Sequence, residues 1–476
     1  MGLMDRIPRN IFSTRGWGLL AAGAVSLLAA QVMGRRDLLA LAIFLFVLPL
    51  LALAGTRVLK PRFQVYREFH PSTVETAATT SVLLAVARTG AGSGHALMEE
   101  KLPARFGESP AFRFPARGAE NGTSRYEYHL RSGQRGQFRI GPVTAEFSDP
   151  FGLSLHRHAI DDGDILTVTP AAVELPVTGL AGARGHDGVT ATRTRANPSD
   201  DDVMTREYRH GDPMRRVHWA ATARHGELMV RQEESVTTPE ATVILDQRLA
   251  AFPRGAHPGV SAVADADGHE LSTSAAFEWA VTAAMSISAH LAERNYALRF
   301  LDTGGEPAFL HSPSAPEPEA EEYIGSAGLQ SVAESLAAIH LTGPLHPRRD
   351  SKGTSRHGAP DGTDSGLRPF DDRLMDKLAA HRLRGPVLAI LGTLTPGEAR
   401  DLAPAAGFGA HAFALVVSEQ VHESSQVLEA LRLGGWRAVA VSAATSLPDA
   451  WSAFDQDQAA GFAGASDARR SAGARP

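Results

Sequence analysis

Between Arg206 and Glu234 the chain reads REYRHGDPMRRVHWAATARHGELMVRQEE, with six arginines, five acids and three histidines around one tryptophan. No other stretch is as dense in ionisable groups, and groups packed this closely have to be solvated or paired. Three chemistries fit these residue types. His210, His218 and His225, with Asp212 or Glu227 as base, have the donors of a metal-assisted hydrolase. Arg209, Arg215, Arg216 and Arg224 have the donors for an anionic ligand such as a phosphate or lipid head group. The whole set, Arg206, Glu207, Tyr208, Arg209, Gly211, Asp212, Arg215, Arg216, His218, Trp219, Arg224 and Glu227, can instead form a protein-docking motif or an internal ion-pair network.

The elements that must position these groups decide among them. Residues 203–208 read as a strand and Gly211 as a turn. Asp212 is a good N-cap, Pro213 suits the first helical position and Gly226 suits the stop, which predicts a helix from Pro213 to His225. On it Met214, Val217 and Ala221 share one face. Leu228 to Arg231 restarts a strand. His218 and His225 would then stand two turns, roughly 10 Å, apart along the axis, too far to share one ion. The near balance of arginines and acids favours pairing over anion binding. The run reads best as the junction of two domains, and no residue in it is assigned a catalytic role.

Upstream, Trp17–Met33 and Leu38–Gly55 are two uncharged apolar runs separated by Gly34, Arg35, Arg36 and Asp37. Their lengths are near the lower limit for crossing a hydrocarbon core, and so short a turn forces an antiparallel helical hairpin. Arg6, Arg9 and Arg15 precede it, and Arg57, Lys60, Arg62 and Arg67 follow it. By the cation rule both termini and the bulk of the chain are expected in the cytoplasm, with the hairpin in the cell (inner or plasma) membrane.

The rest divides by period. Residues 61–178 are punctuated by Gly and Pro between short β-branched runs: Thr79–Ala87, Ser124–Leu130, Gln137–Ile140, Val143–Phe147 and Ile165–Thr169. They predict a small β-sandwich. Within them RSGQRGQFRIGP (Arg131–Pro142) and SDPFGL (Ser148–Leu153) read as turns. Residues 179–240 hold a Gly- and Thr-rich loop and the charged run. Residues 241–455 alternate strands (Ala241–Asp246, Ala297–Asp302, Val387–Leu391, Ala412–Val417, Arg437–Val441) with helices (Ala275–Asn295, Leu329–Ile339, Pro396–Ala406, Ser424–Leu433), the pattern of an α/β domain with a parallel sheet. Residues 311–322, an insertion at about 342–372 and the tail at 456–476 are expected to be disordered from their composition.

The chain has no cysteine, a net charge of -6 and 43% hydrophobic residues. Disulfides, thiolate metal sites and a cysteine nucleophile are excluded. No basic stripe with interleaved aromatics points to nucleic acid, and no Walker-type glycine loop points to nucleotide hydrolysis.

The run REYRHGD…RRVHW…AR.GELMVRQEE resembles the signature of the domain of unknown function 58 family. The hairpin, the R.G.F..GP turn and the DPFGL run are similar to that family's layout, so the likeness extends to about residue 310. The resemblance implies a bacterial membrane-anchored protein whose charged block leads into a von Willebrand factor A-like domain. It also implies a genomic neighbourhood with MoxR-type AAA ATPases and transglutaminase-like membrane proteins, both expected as partners beside membrane lipid. In metal-binding von Willebrand A domains an Asp-x-Ser-x-Ser run ends the first strand. Here Asp246 is followed by Gln247, Arg248, Leu249 and Ala250, so only the aspartate matches and Asp246 is a weak metal candidate. No cofactor is expected. The function expected is a membrane-anchored, cytoplasm-facing scaffold or adaptor, with the metal-assisted hydrolase and the anionic-ligand protein as alternatives.

Overall fold

The computed structural model describes residues 12–58, 62–89, 96–116, 122–148, 151–176, 205–208, 214, 217–231, 239–252, 263–266, 268–343, 368–380 and 385–454. Two helices, α1 (Thr14–Met33) and α2 (Arg36–Val58), form an antiparallel pair, and both are long and apolar enough to cross a membrane. The first starts earlier than its apolar run because Ser13 caps it, its hydroxyl accepting the Gly16 N–H at 3.1 Å. Gly23, Ala30 and Ala42 are buried between the helices, small side chains that let two backbones approach.

Ten short strands follow: β1 (Phe63–His70), β2 (Thr73–Glu75), β3 (Thr79–Arg88), β4 (Ala96–Glu100), β5 (Ala111–Phe114), β6 (Thr123–Arg131), β7 (Gly136–Ile140), β8 (Val143–Ser148), β9 (Leu155–Ala159) and β10 (Asp164–Thr169). They make three small sheets, ordered β1-β3-β6, β2-β10-β7 and β5-β4-β8-β9. Along β3 the even positions, including Val82, Leu84 and Val86, are buried, which is the period-2 alternation of a half-covered strand. They feed two apolar clusters, one around Phe138, Ile140 and Leu166 and one around Met98, Ala145 and Phe147.

Next come β11 (Thr205–Glu207), α3 (Trp219–His225) and β12 (Met229–Arg231). The α/β body holds β13 (Glu240–Leu245), β14 (Val263–Ala264), β15 (Glu270–Leu271), α4 (Ala275–Ala292), β16 (Ala297–Leu301), β17 (Glu322–Tyr323), α5 (Gly325–Ala337), α6 (Asp372–Ala379), β18 (Val387–Leu391), α7 (Pro396–Leu402), β19 (Ala412–Val417), α8 (Ser425–Leu433) and β20 (Arg437–Val441). Its six-stranded sheet runs β17-β16-β13-β18-β19-β20, parallel except for β17. The chain steps outward from β13 on one side and returns through β18 on the other, which is the doubly wound order. Both faces are covered. Val243 and Leu245 enter one core with Phe277 and Trp451, and Ile244 enters the other with Leu391 and Trp436. Such strands read as continuous apolar runs.

Two expectations are corrected. Residues 311–322 are not disordered but form a set of turns clamped over α5. Ser312 Oγ donates to the Ser335 carbonyl at 2.6 Å, the Ala338 N–H donates to Ser314 Oγ at 2.8 Å, and Glu321 pairs with Arg299 at 2.9 Å. Pro- and Glu-rich composition misled because buried Phe309 anchors the segment from its amino-terminal side. The edges of the insertion at 342–372 are also ordered. The Thr342 N–H donates to the Gln247 carbonyl at 2.8 Å, Phe370 is buried, and Asp371 caps α6. Residues 344–367 lie outside the described residues, as do residues 177–204 and the tail at 456–476.

Candidate functional site

The described part of the charged run forms a two-stranded ribbon with a helix beside it. β11 and β12 pair antiparallel, Arg206 opposite Val230 and Glu207 opposite Met229, and Val217 bridges to the other side of Val230. Val217, Met229 and Val230 are buried and form its small core. The predicted helix from Pro213 is corrected here: α3 begins at Trp219. The bridge at Val217 holds the chain extended up to His218, whose own ψ is 94°. His218 is the N-cap, its Nδ1 accepting the Ala221 N–H at 3.1 Å, while its backbone N–H donates to the Met229 carbonyl at 2.8 Å. Thr222 ties helix to ribbon: its hydroxyl donates to the His218 carbonyl at 3.1 Å and accepts the Met229 N–H at 3.0 Å. Gly226, at φ 77°, closes the helix in the left-handed conformation.

The module turns several of its expected site residues outward. Trp219 is 65% exposed, and Met214, Arg224, His225, Glu227 and Glu207 are exposed with it. Tyr208 is half-buried, its N–H donating to the Leu228 carbonyl at 2.8 Å. Only the backbone of Arg206 is described; Arg209, His210, Gly211, Asp212, Arg215 and Arg216 lie outside the described residues. His218 caps α3 and His225 ends it, so the two histidines stand at opposite ends of the helix. β11, β12 and α3 pack chiefly on one another.

Asp246 sits at the carboxyl end of β13, beside β18, where ligands of doubly wound sheets bind. It is wholly buried and its carboxylate is fully engaged within the chain. It accepts the Arg248 backbone N–H at 3.0 Å, the Arg248 Nε at 2.9 Å and Nη2 at 2.8 Å, and the Gly392 N–H at 3.4 Å. Arg248 Nη1 donates to Glu398, whose carboxylate also closes the capping box of α7 with Thr395. Burial works against the Arg248 charge, but Asp246 and Glu398 outweigh it and hold its pKa above the ordinary value. A guanidinium thus occupies the place of a cation. Among the described residues no group of three or more His, Asp or Glu side chains is gathered to hold a metal. Nearby, a cavity of about 300 Å³ opens past β18 and β19, lined by Phe252, Thr393, Ser418, Gln420 and Glu423 among others.

The joint between the β region and the α/β body is made elsewhere, at Arg135. This side chain is only 3% exposed. Its Nε and Nη2 each donate to Glu278 at 2.9 Å, a fork on a carboxylate in the first turn of α4. Its Nη1 donates to the carbonyls of Leu336, Ala337 and Ile339 at 2.7, 3.1 and 2.8 Å, two of them at the end of α5. These carbonyls include the orphan acceptors of a helix end. Ala264 from β14 joins the cluster around Phe138, so the body also completes the core of the β region. A second buried arginine, Arg67, bonds Glu100, Asp161 and Asp164 at 2.5, 2.8 and 2.5 Å. Tyr128 donates to the same Glu100. Burial pushes the Glu100 carboxyl up despite Arg67.

By sequence alone Arg135 lies in a glycine-punctuated turn. The available signal was its place in the R.G.F..GP pattern: Gly136 has φ 144°, and a side chain there would press on Phe138 and on the Ala264 backbone.

Residues 204–250 match the family described as "Protein of unknown function DUF58". No curated protein matches the chain.

Proposed function

We propose that this chain, which belongs to the DUF58 family, is a membrane-anchored scaffold that presents its signature module to a protein partner. The hairpin is the anchor, the strands after it form a sandwich-like spacer, and the α/β body is von Willebrand factor A-like. The doubly wound order of β13 to β20 supports that last assignment. The flanking cations favour a cytoplasmic body with both termini on that side. The partner class implied by the family's neighbourhood is a MoxR-type AAA ATPase, with a transglutaminase-like membrane protein as a further member of the assembly.

The observation that carries the reading is the outward tryptophan. The module spends three apolar side chains on its own core and leaves Trp219 65% exposed, with Met214 and Arg224 exposed elsewhere on it. Tryptophan and arginine are residue types enriched in interface hot spots. The test is capture from detergent-solubilised membranes of a strain that contains the ATPase. Wild type is expected to bring the ATPase down, and Trp219→Ala is expected to lose it while melting like wild type. Equal capture by the two proteins, or no capture by wild type, would count against the scaffold.

A further inference from the structure

α1 enters the β region without a linker. The Ser13 N–H donates to the Leu153 carbonyl at 2.9 Å, Ser13 Oγ donates to the Gly152 carbonyl at 2.6 Å, and Phe12 bridges to Ser154. Gly16 faces the same turn so closely that a Cβ there would lie 2.2 Å from the Leu153 oxygen. α2 packs against β9, the strand that leaves this turn. Both helices of the hairpin therefore meet one edge of the β region, at residues 151–159.

The level of that edge follows from helix length. Thr14–Met33 is 20 residues, about 30 Å at 1.5 Å per residue, which matches the hydrocarbon thickness of a bilayer. Ser13 then lies at the boundary between hydrocarbon and head groups, and so does the turn bonded to it. The exposed side chains at this level are of the kind that boundary selects. Trp17 is 60% exposed and packs edge-on against Phe12, with ring centroids 5.8 Å apart. Phe151 is 64% exposed. Arg15 reaches the same turn. Aromatic rings and a cation at one end of a span are the usual interfacial anchors.

We propose that the turn at residues 151–154 is a second membrane contact, with Phe151 seated in the interfacial layer of the lipid beside Trp17, so that the β region lies on the bilayer surface. The ligand is the lipid boundary itself. The inference rests on the hairpin being a membrane anchor, and the experiment separates the two.

The chain has no cysteine, so single cysteines can be spin-labelled in the full protein reconstituted into phosphatidylcholine and phosphatidylglycerol vesicles. Three positions are read for collision with oxygen and with a water-soluble nickel chelate: Phe151→Cys, Val25→Cys on an exposed face of α1, and Leu433→Cys on exposed α8. The expected result is deep oxygen access at residue 25, water-like access at residue 433, and at residue 151 a several-fold higher oxygen-to-nickel ratio than at 433. Water-like access at 151 with residue 25 still in lipid overturns the contact and leaves the anchor standing. Water-like access at residue 25 as well removes the anchor and the contact together. Poor access to both reagents at 151, with spin–spin broadening, assigns the surface to a second copy of the chain and also overturns the contact. Labelled Phe151→Cys must melt with the parent protein; if it does not, Phe151→Trp in a chain whose other tryptophans are phenylalanine is read by quenching with brominated lipid.

Discussion

Two regions with similar residue types behave in opposite ways. At Arg135 one arginine is buried and saturated by a carboxylate and three backbone carbonyls, two of them at the end of α5. In the signature module the described charged side chains Glu207, Arg224, His225 and Glu227 face outward with Trp219, around a core of three apolar side chains. Among the described residues the buried joint thus lies outside the densest charged run. A buried ion pair needs partners that converge from distant segments, and here they come from 143 residues away. Exposed charges such as Arg224 and Glu227 are instead solvated at little cost.

Breaking the buried side of this contrast should have the largest effect. Arg135→Ala strands Glu278 and three carbonyls, and unfolding of the detergent-solubilised protein should show a loss of about 3–5 kcal/mol. Arg135→Lys should recover only part, because an ammonium cannot reproduce the fork. A loss within the range of surface substitutions would erase the contrast. Arg248→Ala, which strips the partner from wholly buried Asp246, should cost about 2–4 kcal/mol in the same measurement, a little less because the guanidinium is partly solvated.

The buried side also carries a pH dependence. His290 packs edge-on against Trp451 in the body, and burial, helped by Arg294, lowers its pKa to about 4. The unfolded chain binds that proton near the ordinary value of 6.5, so its contribution to stability is complete above that pH. It falls away as pH drops toward 4 and falls no further below it. Melting curves of His290→Gln beside wild type should diverge in this window and run parallel above it; parallel curves throughout would remove His290 as the cause. The smallest expected effect is on the exposed side. Trp219→Ala should change stability by no more than about 0.5 kcal/mol, and a larger loss would move Trp219 into the structural class.

What could be read from sequence follows the same division. The hairpin, β3, β6, β10, α4 and the parallel strands were legible because their signal is local: uninterrupted apolarity, alternation or helical period. β1 was not, because Arg67, its most buried residue, interrupts the apolar alternation of Phe63, Val65 and Phe69. The start of α3 was misplaced because Asp212 and Pro213 are good local starters, whereas the bridge from Val217 to Val230 is a nonlocal constraint that keeps the chain extended. Asp246 was legible as the end of the first strand of the parallel sheet. The site at Arg135 was not, since nothing near it in sequence shows what it binds.

The Arg135 joint also has a consequence for biosynthesis. Glu278 leaves the ribosome 143 residues after Arg135, a delay of roughly 7–30 s at ordinary translation rates. Ala264, which fills the cluster around Phe138, is late as well. During that interval the nascent β region holds an unmatched guanidinium and an open core, while the hairpin ahead of it is already available to the insertion machinery. Final closure of the β region thus waits for the distal part to be made, so a chain truncated before α4 should be released with that region unfinished.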